Sequence, residues 1–241
     1  MPIARLIILT FIVFSLHPLL RGQDECAQHE HTNMSMMKSG PTPSELLSWK
    51  RESEGNHHLI GFLVALSGLF LLAGGVWKKR LRRTIYVWPI CFLLSGFFVL
   101  VYSDTELWPF GPRSWIEGLS NPEVIQHKIF GVLLVGVGLI ELARARERIN
   151  AAWASWIFPL LAIAGSVLLL FHSHSAGMKG PNHMAVHARI QAEHLSYAVT
   201  GLGIGLANGL AGVRTRCQVL FSRLWPTLMI VLGILLMCYV E

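Results

Sequence analysis

Six apolar stretches, at 57–76, 86–103, 127–142, 154–172, 194–211 and 225–240, run through this chain between short polar loops. Each is close to the ~20 residues that a helix needs to cross ~30 Å of hydrocarbon. Of the 241 residues 53% are hydrophobic and only 14% charged, a balance that would leave a water-soluble domain exposing far too much apolar surface. Inside a bilayer every backbone N–H and C=O must be paired within the protein, which leaves helices or closed barrels. The length of the stretches selects helices. The predicted fold is an all-α integral membrane protein, a six-transmembrane-helix bundle.

The stretches repeat. His57, His127 and His194 are separated by 70 and 67 residues. Four residues after them come Gly61, Gly131 and Ala198; eleven after, Gly68, Gly138 and Gly205; eighteen after, Gly75, Ala145 and Gly212. At about 100° per residue these offsets lie within roughly 40° of one helical line. Each odd-numbered span thus carries an imidazole at one end and a stripe of small residues beneath it, which predicts close mutual approach of the three odd helices. The even spans repeat as well. Pro89, Pro159 and Pro226, again 70 and 67 residues apart, are each preceded by an aromatic, Trp88, Phe158 and Trp225. Seven residues past the prolines stand Gly96, Ser166 and Gly233, and fifteen past them Asp104, His174 and Glu241. The membrane domain, 57–241, reads as three helical hairpins, 57–126, 127–193 and 194–241.

Ahead of that domain, Arg5 and an apolar run from Leu6 to Leu16 give residues 1–22 the form of a signal peptide. Residues 23–56 then form an exported tail and linker, with Pro41 and Pro43 inside it. The loops between spans sort by charge. Lys78, Lys79, Arg80, Arg82, Arg83, Arg144, Arg146, Arg148, Arg214, Arg216 and Arg223 fall on one side with the single acid Glu147. The positive-inside rule places those loops in the cytoplasm, which accounts for the net charge of +6 without a nucleic-acid partner. The predicted location is the plasma (inner) membrane, with the tail and the His-rich loops exoplasmic or periplasmic. Ten of the eleven histidines then share one face: His29, His31, His57, His58, His127, His172, His174, His183, His187 and His194.

Imidazole and carboxylate together are the ligands of zinc, copper, iron and manganese. The predicted metal set is His57, His127 and His194 with His174, Asp104 and Glu241; His58, His172, His183 and His187 are further candidate ligands for a metal or a haem. Asn56, Gln126 and Glu193 precede the three histidines and can orient their rings. The tail offers His29, His31, Met34, Met36 and Met37, and imidazole with thioether suits copper in either oxidation state. Taken singly, polar residues at helix ends are ordinary caps and small-residue stripes are ordinary packing surface. It is the recurrence that points to a site. Cys26, Cys91, Cys217 and Cys238 form no CxxC pair and receive no role.

An exported start, multiple spans, histidines at outer helix ends, and His/Met-rich segments such as His172-Ser173-His174 and His183-Met184 give the chain a resemblance to the membrane copper-resistance proteins of the D type. The resemblance implies copper handling at the outer face, with a periplasmic metal carrier as partner. Two other readings compete. Paired histidines from neighbouring helices also serve as axial ligands of haem b in electron carriers. Three histidines with Asp104, Glu193 or Glu241 as base would suit a membrane metalloenzyme, although no HExxH, GxSxG or phosphate-binding glycine loop occurs and no catalytic residue is assigned.

Overall fold

Prolines and capping side chains set where the helices begin. In the computed structural model, which describes residues 42–76, 82–171, 183–213 and 216–240, six long helices follow one another. They are α1 (Pro43–Val76), α2 (Val87–Tyr102), α3 (Pro122–Ala145), α4 (Ile157–Leu170), α5 (His183–Gly212) and α6 (Gln218–Met237). Single 3-10 turns, Arg82–Tyr86 and Ala152–Trp156, lead into α2 and α4. Pro89 and Pro159 then fall in the first helical turn, where no intrahelical partner for their nitrogen is needed. Pro226 instead lies inside α6, which runs more than two turns ahead of it. Asn121 caps α3 by accepting from the Glu123 amide at 3.0 Å, with Pro122 in the first turn. The α2–α3 connection carries one short helix, Trp115–Gly118, closed by a Ser114/Glu117 capping box. α1 starts at Pro43, so residues 43–56, expected within the tail and linker, instead extend the helix ahead of His57.

Among the described residues there is no strand beyond an isolated Leu107–Arg113 bridge. Four segments among the described residues are long and apolar enough to cross a membrane: Leu47–Gly75, Arg83–Tyr102, Ala152–Leu170 and Gln218–Met237. α3 and α5 have the length, 24 and 30 residues, but α3 carries Lys128, Glu141 and Arg144, and α5 is diluted by glycines and polar residues such as Ser196, Thr200 and Asn208. The bundle turns a broad apolar surface outward, with Phe62, Leu69, Phe97, Val132, Leu160 and Leu206 all more than half exposed. Such a surface suits lipid and would drive association in water. Hydroxyls inside the helices bond back to the preceding turn, Ser67 to the Leu63 carbonyl at 2.8 Å and Ser166 to that of Ala162 at 2.7 Å.

The helices form a ring in chain order, closed by α6 packing along α1. α6 with α1, α2 with α3, and α4 with α5 are close seams, and α5 with α6 matches the last of them. The small-residue stripes explain the first three. A methyl added at Gly61 would sit 2.6 Å from the Gly233 carbonyl oxygen, and one at Gly68 would sit 2.5 Å from that of Pro226. At Gly138 it would meet the Leu93 nitrogen at 2.9 Å, and at Gly205 the Pro159 carbonyl at 2.9 Å. Each odd helix therefore turns its stripe toward an even helix, not toward the other odd helices as the repeat alone suggested. Direct contact among odd helices would leave no space on the axis, and the ring leaves a chamber there.

Trp88, Phe158 and Trp225, the aromatics at equivalent sequence positions, meet at the basic end of the ring with centroids 5.5–6.0 Å apart. Phe92 joins them, 5.8 Å from Trp88 and 5.9 Å from Phe158. These edge-to-face contacts close that end of the chamber. At the end of α3 the Arg148 amide bonds to the Ala143 carbonyl and the Glu147 amide to that of Arg144, both at 2.9 Å. That motif needs a left-handed residue, and Glu147 supplies it at φ 56° where glycine is usual. Glu147→Gly is expected to raise the stability of the detergent-solubilised protein by about 0.5–1 kcal/mol. A thermal midpoint unchanged or lowered would contradict this.

Candidate metal centre at the chamber mouth

Each of the three repeated histidines has its Nδ1 within bonding distance of a fixed acceptor. His57 reaches the Ser53 carbonyl at 2.8 Å, His194 the Ile190 carbonyl at 2.8 Å, and His127 the Asp104 carboxylate at 2.8 Å. A carbonyl or an ionised carboxylate only accepts, so Nδ1 donates in all three. In the neutral ring the lone pair then sits on Nε2. For His57 and His194 the acceptor is one helical turn back, a consequence of their place inside α1 and α5. For His127, in the second turn of α3, the acceptor is Asp104, just past the end of α2.

His57 and His194 come together, with ring centroids 6.2 Å apart and planes at 71°. Tyr239 packs against both, stacked on His57 at 4.0 Å and edge-on to His194 at 6.3 Å. Tyr197 lies 5.8 Å from His194. The neighbouring His58 turns away from this group. Its Nε2 donates to the Tyr239 carbonyl at 3.0 Å, tying the end of α6 to α1.

His127 belongs to a second cluster at the same mouth. Asp104 accepts from His127 at 2.8 Å, from Lys128 at 2.8 Å and from Ser103 at 2.6 Å, and Lys128 also donates to the Leu100 carbonyl at 2.9 Å. Burial opposes the charge on Asp104. The hydrogen bond and electrostatic attraction of His127, with the bonds from Lys128 and Ser103, outweigh it and hold the carboxyl below its usual range.

His57, Asp104, His127 and His194 all line one chamber of about 880 Å³, polar at this end and apolar below. Among the described residues no three His, Cys, Asp or Glu side chains are grouped closely enough to hold a metal ion. Of the other predicted ligands, His172, His174, Glu241, and the tail residues His29, His31, Met34, Met36 and Met37 lie outside the described residues, as does the signal segment 1–22. His183 and His187 begin α5, but their side chains are likewise outside the description.

Tyr239, Tyr197 and Lys128 were not anticipated. Tyr197 stands one helical turn after His194 and Lys128 directly follows His127, which are the signals that would have found them. Tyr239 carries no such signal, because its role depends on α6 closing onto α1. No protein-family model, curated protein or solved structure matches the chain, so the functional reading rests on its own residues.

Proposed function

We propose that this is a six-span plasma-membrane protein of three repeated hairpins, exported behind a signal peptide, with its arginine-rich loops in the cytoplasm. Its function is to bind a transition metal, copper foremost, at the imidazole-lined exoplasmic mouth. The His/Met tail supplies a first contact for the ion, and a periplasmic carrier exchanges it. One observation carries the reading: three histidines at equivalent sequence positions line the mouth of one chamber, each with Nδ1 committed to an acceptor. That is the arrangement by which proteins orient imidazole ligands and raise their basicity. The 6.2 Å between the His57 and His194 centroids is close to the ~5–6 Å at which two imidazoles share an ion with metal–nitrogen distances of about 2.0–2.1 Å.

Binding or delivery at the outer face fits this arrangement better than passage across the bilayer, because the chamber ends at the Trp88–Phe158–Trp225 cluster. The test is elemental analysis of purified, folded protein. Wild type is expected to carry about one or two transition-metal ions per chain. The His57→Ala/His127→Ala/His194→Ala variant is expected to carry none at the mouth. Equal metal in the two would reject the site. A Soret band in the same preparation would assign the imidazoles to a haem instead.

A further inference from the structure

The chamber is far larger than an ion requires. Its 880 Å³ falls among pockets that enclose whole organic molecules of about 300–1,000 Å³. Below the collar its wall is aliphatic and aromatic, with Phe130, Leu133, Leu161, Leu169, Met229 and Leu232 among the lining residues. His127 and Val137, ten residues apart on α3, both line it, which makes it about 15 Å deep at 1.5 Å per residue. Apolar walls of this kind do not hold water well.

Charge is confined to the mouth. Glu52, Asp104, Glu106 and Glu123 line it with the cations Lys50 and Arg113, and Lys128 pairs with Asp104 from behind at 2.8 Å. Lys50 is paired with Glu54 at 3.7 Å and Arg113 with Glu106 at 3.0 Å. The carboxylates outnumber the cations, so the mouth favours a head that donates hydrogen bonds and disfavours an anionic one.

The seam between α3 and α4 is the loosest in the ring, and residues of both helices line the chamber. Three of the other seams, α1–α6, α2–α3 and α4–α5, are locked by glycines against backbone. At Gly165 on α4, an added methyl would meet only the Phe130 ring of α3, at an ordinary 3.5 Å.

We propose that the chamber binds a single-chain amphiphile drawn from the bilayer, with its apolar chain inward and a hydrogen-bond-donating head at the mouth. The body of this site is separate from the imidazole collar, so it stands whether or not the collar holds an ion. Chelator-treated protein in digitonin, incubated with tetradecylamine, tetradecanol or tetradecanoate, is examined by native mass spectrometry. One adduct per chain is expected with the amine or the alcohol, and binding of the acid is expected to be at least about tenfold weaker. Comparison of amine with alcohol tells a cationic head from a neutral donor. Gly165→Leu, which fills the chamber from a position with room for a side chain, is expected to weaken binding about tenfold or more. Leu161→Phe takes the same measurement if Gly165→Leu is not recovered folded. Acid bound as well as amine and alcohol, or adducts unchanged by the filling variant, would overturn the proposal.

Discussion

Gly233→Val is expected to destabilise the protein by about 3 kcal/mol or more, the upper range of overpacking effects. A side chain at that position would begin 2.5 Å from both the Gly61 carbonyl oxygen and the Ala65 nitrogen. Both are backbone atoms inside α1, so no rotamer change relieves the clash and the α1–α6 seam must open. Within a membrane this close packing replaces the hydrophobic drive that water would provide. Gly136→Ala is the matched control. No atom lies within 4 Å of the added methyl, and the change is expected to be neutral or to stabilise by up to about 1 kcal/mol through helix propensity. Thermal unfolding in detergent measures both. Similar midpoints for the two variants would show that the glycine seam does not hold the ring closed. Because His57 stacks on Tyr239 across that seam at 4.0 Å, Gly233→Val is also expected to disturb the proposed metal site.

Asp104→Ala is expected to cost about 3–5 kcal/mol, the usual penalty for removing one partner of a buried ion pair. The Asp104 side chain is 7% exposed and that of Lys128 15%, so water cannot replace the lost carboxylate. Lys128 would keep the Leu100 carbonyl and its position 5.5 Å over the Trp115 ring, which places the cost toward the lower end. The same group sets an acid limb in the pH–stability profile. Its folded pKa lies below the ordinary 3.8, so the folded state binds its proton less readily than the unfolded chain does. Its stabilisation is therefore complete at pH values above the unfolded pKa and is lost as pH falls through the folded one. Unfolding midpoints measured from about pH 6 down to pH 3 should fall for wild type. The slope should be shallower for Asp104→Asn, which keeps the shape without the titration. Parallel profiles would remove Asp104 as the source of that acid sensitivity.

Much of this architecture was legible from spacing. The starts of α2 and α4 followed from Pro89 and Pro159, because the chemistry of a first helical turn is local; α3 begins at Pro122, five residues ahead of the stretch expected from 127. The aromatic plug was written in the 70- and 67-residue steps between Trp88, Phe158 and Trp225, and the shared level of the histidines in the steps between His57, His127 and His194. The start of α1 was not legible, since Pro43 reads equally as a linker residue and as a helix N-terminus. Nor was the role of Tyr239, which packs against His57 and His194 from just past the end of α6, more than forty residues further along the chain than His194.

The sequence by itself determined that the chain makes apolar helices with small residues on one stripe and imidazoles at one level, because residues separated by whole helical turns share a face. Only the tertiary structure decided which helix each stripe meets. Gly61, Gly131 and Gly205 each lie against the even helix beside them, since an even helix offers its own small residue or a bare proline carbonyl for close approach, while a second odd stripe would need the axis to be filled. Folding the six helices into a ring around an empty axis made the chamber, divided the three histidines between Tyr239 and Asp104, and put an acceptor-rich mouth above an apolar interior.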